Sequence, residues 1–147
     1  MVRSPVLLVI PLLASCGGEP AALGAEGGRL TPCPDTPNCV STREDEDDGH
    51  RIDPIPFAGS AEEAMIAITE TVEGMPRTEV VGREGDYLRA EFTSRIFRFV
   101  DDVEFWVDGE EGLIHFRSAS RVGRSDMGVS RERMTKITMN VEAKLGN

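Results

Sequence analysis

Cations are scarce in this chain: 16 lysines and arginines stand against 26 aspartates and glutamates, for a formal net charge of −10. An acidic body is repelled by phosphate backbones and anionic headgroups, which argues against nucleic acid as a partner and against electrostatic adhesion as a route to a membrane. Long apolar runs are missing as well. The longest, Val6–Leu13, is interrupted by Pro11 and falls short of the roughly 20 residues that a spanning helix needs. Histidine occurs only as His50 and His115. There is no paired-histidine metal motif, nucleophile elbow, phosphate loop or dinucleotide fingerprint, so no cofactor and no metal is expected. No internal repeat divides the chain. Cysteine is limited to 3 residues, an odd number that leaves one thiol over if the other two pair.

What is present begins at the N-terminus. Residues 1–15 hold one cation, Arg3, and no acid, followed by the short apolar run; this is the pattern of a secretory signal. Leu13-Ala14-Ser15-Cys16 resembles the lipobox of bacterial lipoproteins, in which the cysteine is acylated and becomes the first residue of the mature protein. Two or three acyl chains, at about 0.8 kcal/mol per buried methylene, anchor stably where one would not. The expectation is a lipid anchor at Cys16 in a cell-envelope protein that faces the periplasm. Gly17 in place of an aspartate points to the outer membrane, if the host follows the enterobacterial sorting rule. Loss of Arg3 with the signal leaves the remainder at −11.

Residues 16–29 are small and glycine-rich, with almost no apolar bulk, and read as a flexible lipidated tether. Residues 30–147 are enough for one domain with one core. With Cys16 assigned to lipid, Cys33 and Cys39 remain, set among Pro32, Pro34 and Pro37. Such a pair in the periplasm is expected to form a disulfide, worth about 2 kcal/mol on the chain-entropy model. The rival is a metal site using both thiolates and His50, which lacks a fourth ligand. The acidic run Glu44–Asp48 lacks the alternation of a calcium loop and reads as a solvated surface segment.

Ser60 and Glu63 form a capping box ahead of a helical stripe, Ala61, Ala64, Met65, Ile68 and Val72, which Gly74 and Pro76 end. A hairpin is expected to pair 78–82 with 86–90 around Arg83-Glu84-Gly85, placing Val80 opposite Leu88 and Glu79 opposite Arg89. A second hairpin turns at Gly109–Gly112. It sets Phe105 against Phe116 and Val107 against Ile114 on one face, and Glu104 against Arg117 and Trp106 against His115 on the other. Between the hairpins, Ile96, Phe97 and Phe99 are expected to pack at a sheet corner. A last helix starts near Ser130, its expected cap, with Met134, Ile137, Val141 and Leu145 inward. The fold expected is α+β: a four- or five-stranded antiparallel sheet, the fifth strand near Ile52–Phe57, with two helices packed on one face.

Three blocks resemble a known family, domain of unknown function family 1499 (DUF1499). They are Pro32-Cys33-Pro34 with Pro37-Asn38-Cys39-Val40-Ser41; Tyr87–Phe92 with Phe99–Phe105; and Arg117–Gly123 running on to Asp126 and Gly128. Its members occur in bacteria, often as lipoproteins or membrane-associated domains, and in chloroplasts. The resemblance implies no catalytic residues. Ser130 stands where asparagine is expected before Arg131; both can cap a helix.

Two chemistries remain. Arg89, Arg117 and Arg121 on the polar sheet face, Arg124 beyond it, and Trp106, Tyr87 and His115 form a candidate surface for an anionic or amphipathic ligand. The plainer alternative is that each arginine answers a neighbouring acid. Asp101, Asp102 and His115 are the candidate catalytic set, although adjacent strand residues point to opposite faces. The expected function is a membrane-anchored, non-enzymatic domain that binds a small molecule or an envelope protein. The alternatives are an envelope enzyme using Asp101, Asp102 and His115, or a purely structural envelope factor.

Overall fold

The computed structural model describes Gly18 and residues 23–146; the signal segment and Cys16 lie outside the described residues. Helix α1, Ala61–Glu73, opens on the capping box. The Ser60 hydroxyl accepts from the Glu63 amide, and the Glu63 carboxylate accepts from the Ser60 amide. Ala64, Met65, Ala67, Ile68 and Val72 bury one face of it. No helix of the described residues is long and apolar enough to cross a membrane.

The sheet is antiparallel, with four long strands: β5 Thr78–Glu84, β6 Tyr87–Thr93, β7 Val100–Asp108 and β8 Leu113–Ser120. Two short strands share the outer edge of β8. One is β3, Cys39–Ser41, beside Arg117–Ala119; the other is β4, Ile55–Pro56, beside Leu113–Ile114. The sheet thus has six strands, one more than the longest expected, because β3 is too short for its period to be read. A separate ribbon pairs β1, Ala25–Glu26, with β2, Arg29–Leu30. The last residues of the stretch expected to be tether therefore belong to the fold.

Inward positions alternate along the strands as a half-covered sheet requires. Leu88, Ala90, Phe92, Val103, Phe105, Val107, Ile114 and Phe116 meet α1 and the stripe Met134, Ile137 and Val141 of helix α2, Val129–Leu145. The β7–β8 register matches the sequence expectation pair for pair, Phe105 to Phe116 and Glu104 to Arg117 included.

The first hairpin does not match. Its turn is Gly85-Asp86, with Glu84 opposite Tyr87 and Val80 opposite Ala90, so Glu79 faces Glu91 and not Arg89. An irregularity between Val80 and Gly82 adds one residue to β5. That residue reconciles the tight turn with an inward Val80.

Ile96, Phe97 and Phe99 do not pack at a corner: they are 78%, 71% and 44% exposed. The segment closes on itself instead. The Ser94 amide donates to the Phe99 carbonyl, and the Ser94 hydroxyl accepts from the Phe99 amide.

Ser130 does not cap α2. It sits inside the helix, buried, its hydroxyl without a partner. Gly128 at φ +84° takes the cap position, and the Asp126 carboxylate accepts from the Gly128 and Ser130 amides at 2.9 Å each. Asp126→Ala should therefore cost about 1 kcal/mol of stability, whereas Ser130→Ala should cost nothing or stabilise, since it removes an unpaired buried hydroxyl. Urea unfolding of the two variants distinguishes these assignments; a loss confined to Ser130→Ala would reverse them.

Candidate functional site

Strand alternation places Tyr87, Arg89, Glu91, Asp102, Glu104, Trp106, His115 and Arg117 on the sheet face away from the helices. The structure sorts them into three groups.

Glu104 and Arg117 form a buried ion pair, 0% and 1% exposed, with Nη1 to Oε2 at 3.1 Å. The second carboxylate oxygen accepts from the Tyr87 hydroxyl and the Gly24 amide, both at 2.7 Å. Burial, and then the bond to Glu104, push the Tyr87 phenol far above its ordinary pKa, so it stays a donor. Arg117 is thus no part of an open ligand surface.

Arg89 and Arg121 form a compact network with Glu91 and Asp102. Burial works to raise the Asp102 carboxyl, but hydrogen bonds and charge from Arg121 and Arg89 outweigh it and hold it below the usual carboxylate range. Two cations meet two anions, so this part of the face offers an anionic ligand little net charge. Asp101 points the other way, to Arg133 of α2, whose guanidinium also lies 4.8 Å from the Phe92 ring centroid. Arg124 is exposed beyond the end of β8, without an ion pair among the described residues. The candidate catalytic set is not assembled either. Asp101 and Asp102 lie on opposite faces, and His115 pairs with Trp106, about 13 Å along β7 from Asp102.

Trp106 and His115 do come together, stacked with ring centroids 5.4 Å apart. They line a cleft of about 410 Å³ with the β1–β2 turn, Thr42, Arg43 and Glu44. Gly28 at φ +75° closes over the indole; a Cβ there would lie 2.8 Å from Trp106 Cη2, so the approach requires glycine. The Thr42 hydroxyl lies 3.2 Å from His115 Nδ1. Burial lowers the His115 pKa against the opposing pull of Asp108, Glu111 and Glu44.

Asp108 and Glu111 complete this corner: one donor atom from each and one from His115 lie within 4.8 Å of one another. One imidazole and two carboxylates could hold a divalent transition-metal ion. The sequence reading missed these acids because they carry no metal motif; their only signal was a position astride the β7–β8 turn, next to His115.

The two cysteines expected to pair do so, Cys33 to Cys39, with Cα atoms 5.7 Å apart. His50 is bonded to Asp47 and to the carbonyl of Thr36 within that loop, and both sulfurs are taken by the disulfide. The acidic run is used locally: Asp45 pairs with Arg43, Glu46 accepts from the Cys33 amide, and Asp47 accepts from the Gly49 and His50 amides.

The profile of the family described as Protein of unknown function (DUF1499) matches residues 29–141, and the chain belongs to that family. A search of curated proteins gives no match. A solved structure, that of TTHA0849 from Thermus thermophilus, shares 17% identity over 63% of this chain and 88% of that one, with a TM-score of 0.23.

Trp106 is the single tryptophan of the chain, and Ni²⁺ held at the neighbouring donors should quench its emission. Glu111→Gln or His115→Ala should raise the Ni²⁺ concentration needed by about tenfold or more; equal quenching in all three proteins would show that these donors hold no cation.

Proposed function

We propose that this is an exported lipoprotein, acylated at Cys16 and retained in the cell envelope facing the periplasm, whose DUF1499 domain is a non-enzymatic binding module. The observation that carries the reading is the Cys33–Cys39 bond. Such bonds persist in oxidising compartments, and this one leaves Cys16 as the one cysteine free for another chemistry. The Val6–Leu13 run and the Ala14-Ser15 pair before Cys16 supply the export and processing signals.

Binding, and not catalysis, fits the distribution of charge. Each carboxylate of the candidate catalytic set is matched by arginine: Asp101 by Arg133, and Asp102 by Arg89 and Arg121. The Trp106–His115 cleft is the ligand site. Its aromatic floor offers a stacking surface, and its rim mixes Arg29 and Arg43 with Glu44, Asp108 and Glu111. That suits a small polar molecule with a flat or apolar part, or a short segment of an envelope protein.

Intact-mass measurement of the protein purified from membranes tests the anchor. The expected species starts at Cys16 and carries two or three acyl chains, and Cys16→Ser should remove both the lipid and the processing. A membrane-derived species that starts at Met1 with an unmodified Cys16 thiol would overturn the reading.

A further inference from the structure

The loop between β6 and β7, Ser94-Arg95-Ile96-Phe97-Arg98-Phe99, is the most conspicuous apolar feature of an otherwise acidic surface. Ile96 and Phe97 are more than two-thirds exposed, and the Phe97 and Phe99 rings stack at 5.5 Å. A cluster of this kind marks a contact surface, because isolated apolar side chains are ordinary but a shared tip is not. The loop is also built. The Ser94–Phe99 hydrogen bonds close it, Thr93 pairs with Val100 at its base, and Arg98 holds φ +57°, a left-handed conformation uncommon for a residue with a Cβ.

Charge around the tip runs against that of the whole molecule. Arg95 and Arg98 have no carboxylate partner among the described residues, and Arg77 donates only to the Thr93 carbonyl. Of the acids beside them, Glu91 is held by Arg89 and Arg121, which leaves Glu79. Arg95 and Arg98 within the loop and Arg77 at its base thus lack a carboxylate partner, with Glu79 the one acid left beside Arg77 and Arg98.

The position of Gly18 gives the loop a direction. A Cβ at Gly18 would lie 3.2 Å from both the Arg121 carbonyl oxygen and the Val122 side chain. The Arg121 amide in turn donates to the carbonyl of Val100, the residue after Phe99. Cys16 precedes Gly18 by two positions, with Gly17 alone between them, a reach of about 7 Å at most. Gly18 therefore marks the end of the sheet that carries the loop, two positions after Cys16 in the chain.

We propose that the Ser94–Phe99 loop is a membrane-docking wedge: Ile96, Phe97 and Phe99 enter the interfacial zone of an anionic phospholipid leaflet while Arg77, Arg95 and Arg98 meet lipid phosphates. The domain then rests on the membrane that holds its anchor, and the acidity of the whole chain is no bar, because the surface that touches lipid is locally cationic. The inference rests on the lipoprotein reading for its direction but not for its chemistry.

Phe97→Trp in the full chain provides the probe, with Trp106 as an internal reference. The protein is mixed with or reconstituted into vesicles of brominated phosphatidylcholine and phosphatidylglycerol, and the mass of the same sample reports whether Cys16 carries lipid. The introduced indole should be blue-shifted and quenched by the bromines while Trp106 is not. Arg95→Ala with Arg98→Ala should lower the docked-to-undocked ratio about tenfold or more, as should vesicles of phosphatidylcholine alone. Lipidated protein whose loop indole is unquenched overturns the wedge and leaves the anchor standing. A quenched loop indole in unlipidated protein does the reverse. A blue shift without bromine quenching that grows with protein concentration would assign the loop to a second copy of the chain and also overturn the proposal.

Discussion

Glu104 and Arg117 face each other across β7 and β8 without access to water, and the outer face of the sheet is organised by how that pair is satisfied. Removing two charges from water costs several kcal/mol per ion, offset only by close pairing and by hydrogen bonds to the remaining lone pairs. The carboxylate obtains them from Tyr87, one strand away, and from the amide of Gly24, 80 residues earlier in the chain. The second bond ties the N-terminal ribbon to the sheet, and the ribbon's turn places Gly28 over Trp106. The cleft therefore follows from the buried pair: without the ribbon, Trp106 and His115 would be two exposed residues on a flat surface.

What could be read beforehand was whatever the two-residue period of a strand or the 3.6-residue period of a helix records. The β7–β8 register followed from alternation around a glycine turn, and α1 from its capping box and stripe. The stack of Trp106 on His115 came with that register. The bulge in β5 was illegible because one inserted residue shifts the pairing without disturbing the composition. The exposure of Ile96, Phe97 and Phe99 was illegible for the opposite reason: apolar residues are expected inside, and only the closure of the loop through Ser94 turns them out. The glycine-rich stretch read as tether because composition does not show that Gly24 has an acceptor. Arg89, Arg117 and Arg121 followed the plainer of the two alternatives, Arg124 did not, and the partners were partly foreseeable. Glu104 for Arg117 came from the register, whereas Glu91 for Arg121 spans two strands.

On the proposed arrangement the two ends of the sheet have different tasks. β7 runs from Val100, beside the apolar loop, to Asp108 in the cleft, a span of about 26 Å. A domain seated on its loop would hold the Trp106–His115 cleft away from the bilayer, open to the aqueous periplasm. The net charge of −10 on the whole chain would keep the rest of the body off anionic lipid and favour contact through the loop end. One fold would thereby separate attachment from recognition.

The buried Glu104 carboxylate fastens the N-terminal ribbon to the sheet, and amide hydrogen exchange at Gly24 tests that attachment most directly. A donor held at 2.7 Å by that carboxylate should exchange orders of magnitude more slowly than free backbone, and Glu104→Leu with Arg117→Met, which removes the acceptor without stranding a buried charge, should remove most of the protection there while β7 and β8 keep theirs. Exchange of the Gly24 amide at the rate of an unstructured chain in the wild-type protein would contradict the account.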